Sequence, residues 1–304
     1  MGQDMTSQVL ALLERHGISL DDDALDQHLL VSGDVIRHLV DAADISRGES
    51  VLEIGPGPGQ ITEVLLQCGA FVTAIEIDRR FAPLLQELSA RFPGHLTVIW
   101  GSATEVEWPD QVTKVVMNPP FSITEQLVEL LYSSRSIEQV SMVMGQRFFE
   151  NASTQPGSRG FTRTALMVQA KYDISLVEKI DRAAFCPQAG DRAVIVHLQL
   201  AEQPHPILRR LAEYMASDAQ LHLRFVLEQV LEVFNHRAKK YRQDFGQYVT
   251  MRDFRFKPEL LNTRLQELTN YQLSEMVSQL TSQFNSRVRN MKFARGKNIH
   301  GRKH

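Results

Sequence analysis

The chain has 304 residues, 43% of them hydrophobic and 23% charged, enough for a sizeable core and for one large domain plus a smaller one. A net charge of −3 argues against polyanion binding by overall charge, and two cysteines, Cys68 and Cys186, exclude a disulfide framework or paired-cysteine zinc site. No apolar run approaches the roughly 18 residues of a membrane span, and the acidic N-terminus lacks a targeting pattern, so a soluble, cytoplasmic protein is expected.

Residues 1–16 carry an amphipathic helical pattern, and Asp21–Asp26 reads as an acidic linker. Gln27-His-Leu-Leu30 leads into a helix near Gly33–Ala43 that Ser32 or Asp34 can cap. The pattern then alternates. Strand Ser50–Ile54, helix Gln60–Cys68, strand Phe71–Ile75 and helix Arg79–Arg91 come first. Strands His95–Ile99 and Val112–Met117, helix Ile123–Tyr132 and strand Gln139–Met144 follow. Such alternation specifies a parallel sheet covered on both faces. A polar loop, Ser153–Gly160, precedes helix Thr162–Ala170 and two strands near Tyr172–Ile180 and Ala193–Leu200, expected as an antiparallel edge pair.

Gln203-Pro-His-Pro206 marks a domain boundary, beyond which the spacing predicts helices Ile207–Met215, Leu221–His236 and Leu265–Phe284. The expected organisation is an α/β domain over residues 1–202, a helical substrate-binding domain over 203–285 and a tail over 286–304. That tail holds seven Lys or Arg and no acid, and reads either as an arm for nucleic acid or as a solvated terminus.

Three strand ends carry the chemistry. Val51-Leu-Glu-Ile-Gly-Pro-Gly-Pro-Gly59 is a strand–tight turn–helix unit whose backbone comes close to something. Gln60 stands where the dinucleotide fingerprint needs glycine, so no pyrophosphate seat is implied. Glycines 55, 57 and 59 followed by Glu76 fit S-adenosylmethionine instead, a cofactor with one nucleoside and no phosphate, whose ribose hydroxyls Glu76 accepts. The plainer alternative is a turn that uses glycine for steric reasons alone. At the third strand end, Asn118-Pro-Pro-Phe121 suits methylation of an exocyclic amine. The Asn118 side-chain oxygen and the Pro119 carbonyl accept both amino hydrogens, the prolines stiffen the turn, and Phe121 offers a stacking face. Its alternative is a Pro-Pro turn with a core phenylalanine.

Gln27-His-Leu-Leu30, Glu53-Ile-Gly-Pro-Gly57, Ala74-Ile-Glu-Ile-Asp78 and Asn118-Pro-Pro-Phe121 together resemble the ribosomal RNA adenine N6,N6-dimethyltransferases. These include small-subunit dimethyladenosine transferases and macrolide-resistance methyltransferases, and the resemblance covers about residues 25–200. It implies a class I, Rossmann-like methyltransferase: a doubly wound, mostly parallel sheet plus a small C-terminal helical domain. The implied reaction is methyl transfer from S-adenosylmethionine to N6 of adenosine in ribosomal RNA. By the resemblance, Gln27, His28, Leu30, Gly55, Gly57, Glu76, Ile77, Ser102, Ala103 and Asn118 contact the cofactor. Asn118, Pro119 and Phe121 hold the adenine, and Phe185, in Ala184-Phe-Cys-Pro187, stacks on its other face. The implied partner is ribosomal RNA or a ribosomal subunit, with no membrane, no metal and a monomeric enzyme.

The sequence departs from the family pattern at three places. Ser102 stands where the family usually has Asp, Leu29 replaces the usual Phe of a Gln-x-Phe-Leu motif, and Gln188-Ala-Gly-Asp191 replaces a proline-rich, basic continuation. Two other functions stay open: a non-catalytic RNA-binding or assembly factor that kept the fold, and an N-methyltransferase acting on DNA or a small molecule. His28, His38, His197 and His205 show no ligand spacing. Cys186 reads as a small neighbour of Phe185, and Trp100 and Trp108 as core or as walls near the cofactor's adenine. Tyr241-Arg242 and Arg252–Lys257 suit either an RNA-contacting surface or a strand with a buried aromatic face.

Overall fold

A computed structural model describes residues 5–20, 27–218, 220–240, 251 and 254–283. The acidic linker, Tyr241-Arg242, Arg252 and the basic tail lie outside the described residues. Two units emerge, one formed by residues 1–150 and 172–202, the other by 151–171 and 203–304.

In the first unit, α1 (Met5–Arg15), β1 (Leu29–Leu30) and α2 (Gly33–Asp41) lead into the alternating region. Ser32 caps α2, its Oγ accepting from the Val35 N–H. Then come β2 (Ser50–Ile54), α3 (Gln60–Gln67), β3 (Phe71–Glu76), α4 (Ala82–Arg91), β4 (Leu96–Trp100), β5 (Lys114–Met117), α5 (Thr124–Ser133) and β6 (Gln139–Gly145). A short α6 (Gln146–Ala152) follows β6, and β7 (Tyr172–Ile180), β8 (Phe185–Cys186) and β9 (Ala193–Leu200) complete the unit. The strand order is β4-β3-β2-β5-β6-β9-β7. Pairings from β4 to β6 are parallel, and β9 pairs antiparallel with both β6 and β7.

Both faces of this sheet are covered, as the near-continuous apolar strands require. Val51, Val72, Ala74 and Val116 pack with Ile36, Leu39, Ile61 and Leu65 of α2 and α3. The alternate residues Leu52, Ile54, Ile75, Val115 and Met117 are equally buried. Val9 and Leu13 of α1 join Phe81, Leu84 and Leu85 at the start of α4. The order of strands reverses between β2 and β5, because the chain runs outward through β3 and β4 and returns. That reversal opens a crevice at the strands' carboxyl ends.

The second unit comprises α7 (Arg163–Lys171), α8 (Pro206–Ser217), α9 (Leu223–Lys240), α10 (Pro258–Leu261) and α11 (270–283). The expected uninterrupted domain over 1–202 is therefore corrected. Helix α7 buries Ala165, Leu166, Met167, Val168 and Ala170, and it packs on α8. The Arg163 guanidinium donates to the Met215 carbonyl at 3.3 Å, and Ser274 Oγ to the Ser158 carbonyl at 2.6 Å. The expected helix Leu265–Phe284 is also broken. A 3-10 turn, Leu265–Glu267, precedes α11, and Thr269 Oγ1 accepts the Gln272 N–H at 3.2 Å. Phe254 and Phe256 stack at 5.3 Å with Phe254 buried, rather than alternating along a strand.

Tyr172 starts β7 with its ring buried, and its hydroxyl lies 3.1 Å from the Leu131 carbonyl and 3.0 Å from the Ile137 carbonyl. It satisfies the end of α5 and the entry to β6 together. Tyr172→Phe is expected to lower unfolding free energy by about 1–2 kcal/mol, because buried acceptors lose their donor while the packing stays. Urea denaturation, with an unchanged slope, checks it.

Candidate active site

The chain leaves β2 through a loop of left-handed glycines. Gly55, Gly57 and Gly59 have φ of 71°, 54° and 98°. A side chain at Gly59 would press on Leu88 at 3.0 Å and one at Gly57 on Leu29 at 3.3 Å. At Gly55 the space is open, with no protein atom within 4 Å of a Cβ position. Conformation demands glycine at all three, and only at Gly55 does the freed volume belong to a cavity rather than to packing.

Glu76 closes the end of β3 and is only 4% exposed. One carboxylate oxygen accepts from the Gly57 N–H at 2.9 Å, the other from the Asp78 N–H at 2.7 Å. Burial raises its pKa, and these two backbone donors oppose the rise. Asp78 is paired with the Arg80 guanidinium and accepts from the Gln27 amide at 3.1 Å. Those bonds outweigh burial and hold its pKa below the usual carboxylate range. Gln27 is thereby tied to the end of β3 across 51 residues of chain.

Asn118 follows β5, and its Nδ2 donates to the His28 carbonyl at 3.0 Å. His28 Nδ1 lies 3.1 Å from the Pro187 carbonyl. Behind them β1 and β8 pair antiparallel, Leu29 with Cys186 and Leu30 with Phe185. This pairing fixes Phe185, 3% exposed, against the cavity wall. Cys186, its thiol pKa raised by burial, is the half-buried neighbour. Ser102 Oγ sits 2.8 Å from Thr104 Oγ1, and Trp108 Nε1 donates to the Ala103 carbonyl at 2.8 Å. Trp100 lies under the Arg79 guanidinium, 5.6 Å from the ring centre.

These strand ends enclose one open cavity of about 270 Å³. Gln27, His28, Leu30, Gly55, Gly57, Glu76, Ile77, Ser102, Ala103 and Asn118 all line it, as do Pro119, Phe121 and Phe185. Ile77 is 56% exposed despite its apolar side chain, at the mouth. Among the described residues no helix is long and apolar enough to cross a membrane, and no group of three His, Cys, Asp or Glu is placed to hold a metal.

Residues 22–246 match the family model described as ribosomal RNA adenine dimethylase. The chain belongs to that family. It is 32% identical over 228 residues to the ribosomal RNA small subunit methyltransferase A of Novosphingobium aromaticivorans, covering 73% of this chain and 83% of that protein. Its fold is similar to that of a dimethyladenosine transferase from Plasmodium falciparum, at TM-score 0.56 and 21% identity over 84% of this chain and 98% of the other. The 23S rRNA methyltransferase ErmE is similar at TM-score 0.54 and 22% identity, over 83% and 99%. The enzyme is thus a methyltransferase with a Rossmann-like α/β fold, and its cofactor is S-adenosylmethionine.

The cavity fits that cofactor by chemistry. Glu76 is an acceptor with its backbone bonds already made, suited to a vicinal diol, and Gly55 leaves backbone bare to the cavity. The cavity also contains an acceptor-rich turn with no N–H at Pro119 or Pro120.

Glu53 opens the motif Glu53-Ile-Gly-Pro-Gly57, yet the sequence assigns it no role. Glu53, on β2, is fully buried between Ala74 and Val116 in register. Neither of its oxygens makes a well-formed hydrogen bond. Burial, offset in part by Thr62 and reinforced by the charge of Glu76, raises its pKa from 4.5 to about 8. Its signal is an acid inside an otherwise apolar strand. At neutral pH Glu53 holds its proton.

The unfolded chain releases the Glu53 proton near pH 4.5 and the folded enzyme near pH 8. Between these values the native state binds the extra proton, so this contribution to stability falls as pH rises and levels off above pH 8. Glu53→Gln is expected to abolish that decline, which amounts to at most about 5 kcal/mol. Urea titrations of both proteins at pH 5, 6.5 and 8 measure the difference.

Proposed function

We propose that the enzyme methylates N6 of an adenosine in structured ribosomal RNA, once or twice, with the target base held by Asn118, Pro119, Phe121 and Phe185. The observation that carries this is the orientation of Asn118. Because Nδ2 is committed to the His28 carbonyl, Oδ1 is the atom left to accept from a substrate. Beside it the Pro119 carbonyl is a second acceptor, stiffened by Pro120, whose φ is −53°. Two acceptors on the two amino hydrogens draw the nitrogen lone pair out of conjugation. Phe121 then supports one face of the unstacked base and Phe185 bounds the other. No general base is required, since an alkylated amine is acidic enough to yield its proton to water.

S-adenosylmethionine, when bound, supplies an electrophilic methyl group. In this proposal Glu76 takes its ribose hydroxyls, and Gly55 and Gly57 lie against its methionine portion. Ile77, Ser102 and Ala103 border its adenine, while Gln27, His28, Leu30 and Asn118 close the remaining side. All of these residues come from one chain, and the proposed enzyme is a monomer that uses no metal. The helical residues 203–285 and the basic tail 286–304 are proposed to hold the RNA backbone, leaving base choice to the cavity.

The test is transfer of labelled methyl to unmodified small- and large-subunit ribosomal RNA or particles, followed by digestion and mass analysis. Label is expected in N6-methylated adenosine, reduced about 100-fold or more in Asn118→Ala even at saturating cofactor. A wild-type enzyme that binds cofactor yet labels no ribosomal RNA sinks the substrate assignment. A second expectation concerns Ser102, whose hydroxyl is shared with Thr104. Ser102→Asp should tighten cofactor binding roughly fivefold by restoring a charge-assisted acceptor for the adenine amine, as read by calorimetry.

A further inference from the structure

A second cavity, of about 450 Å³, shares Phe121 with the cofactor cavity and extends away past Arg147, Phe148 and Arg192. A third, of about 600 Å³, continues from Arg182 and Arg192 to Lys179. Together they form a groove that begins at the stacking face of Phe121.

Its arginines come from three separate places in the chain: the start of α6, the turn after β7 and the residue before β9. All three are exposed. Their side chains make no ion pair or hydrogen bond with any described residue, although Glu150, Asp181 and Asp191 lie close by. Glu150 accepts from the Gln146 amide at 2.7 Å. The backbones beneath the arginines are fixed. The Gln146 N–H donates to the Arg192 carbonyl at 2.8 Å, and Asp181 Oδ1 accepts from Ala183 N–H at 2.8 Å to cap the turn bearing Arg182. Phe148, half-buried, presents an aromatic wall among them. Guanidinium groups without partners, converging beside an aromatic ring, suit phosphates and a stacked base.

We propose that this groove is the track of the single-stranded RNA flanking the target adenosine, with Arg147, Arg182 and Arg192 on its phosphates and Phe148 under the neighbouring base. The inference rests on the substrate assignment above, which places the target base at Phe121. It adds the path by which the strand reaches that base. The track would set substrate affinity rather than the chemical step, because none of the four residues borders the cofactor cavity.

The test uses the full chain and an unmodified ribosomal RNA transcript that the wild type methylates. The triple variant Arg147→Ala, Arg182→Ala, Arg192→Ala should raise KM at least tenfold with kcat within twofold and cofactor affinity unchanged. The slope of log affinity against log salt should shrink by about two, since each single-strand phosphate that an arginine neutralises contributes roughly 0.7. The corresponding triple lysine variant, which keeps the charge, should recover both KM and slope. Phe148→Leu should raise KM several-fold while leaving the slope intact, as removal of a stacking face requires. An active triple alanine variant with wild-type KM and slope overturns the track alone. A wild type that methylates no ribosomal RNA overturns the substrate assignment and the track with it.

Discussion

The site depends on one carboxylate. Glu76 ends β3 and receives the N–H of Gly57 on one oxygen and that of Asp78 on the other. The first bond pins the glycine loop that follows β2 to the neighbouring strand, and the second turns the chain toward α4. Such an arrangement needs an acceptor on both oxygens, so the bonds favour the ionised form against a burial that disfavours it. Two adjacent buried acids cannot both carry charge cheaply. Protonation of Glu53 at neutral pH relieves this, removing a charge from inside the strand beside Glu76, which lines the cavity. The apolar strand residues around Glu53 therefore contribute to the electrostatics of the site as well as to its core.

Much of this was legible in the sequence, for identifiable reasons. Central parallel strands buried on both faces appear as short apolar runs, which is why Ser50–Ile54 has the expected limits and Phe71–Glu76 differs by one residue. The starts of two other strands are less sharply marked. The strand expected at His95–Ile99 runs from Leu96 to Trp100, with His95 just before it stacked on Phe71 at 4.5 Å. Val112, expected to open the next strand, is buried in the turn before Lys114. The glycine loop, Glu76 and Asn118-Pro-Pro-Phe121 were visible because each stands at a strand end, and the reversal of strand order brings those ends together around one cavity.

What escaped the sequence involves pairing over long separations. Leu29–Leu30 and Phe185–Cys186 are too short to show any periodicity, and they become strands only by meeting each other. The Gln27–Asp78 bond leaves no local trace, since either residue alone is an ordinary surface group. Helix α6 is hidden by Gln146-Arg-Phe-Phe-Glu, which lacks a clear apolar face. Residues 151–171 carry an apolar helix that local pattern assigns to no particular partner. Its bonds to Met215 and Ser274 are made across roughly 50 and 115 residues of chain.

The turn after β5 shows how backbone chemistry alone can restrict a substrate. A loop facing a cavity normally presents both N–H donors and carbonyl acceptors. Here Pro119 and Pro120 remove two consecutive donors, and the Asn118 Nδ2 donor is already spent on the His28 carbonyl. What remains from Asn118 Oδ1 to the Pro120 carbonyl is a run of acceptors. An exocyclic amine offers two hydrogens to it and leaves nothing unpaired. A base presenting a carbonyl at the same position would set oxygen against oxygen and strand both acceptors without donors, at a cost of the order of 1–3 kcal/mol for each buried group. In the proposed reaction, discrimination for an amino group rests on the absence of two N–H groups and requires no charged residue. The orientation of the Asn118 amide completes the set, and that orientation is held by a carbonyl contributed 90 residues earlier in the chain. On the proposed assignment, selectivity at this turn depends on β1 and β8 pairing correctly, because that two-stranded sheet holds the chain that orients Asn118.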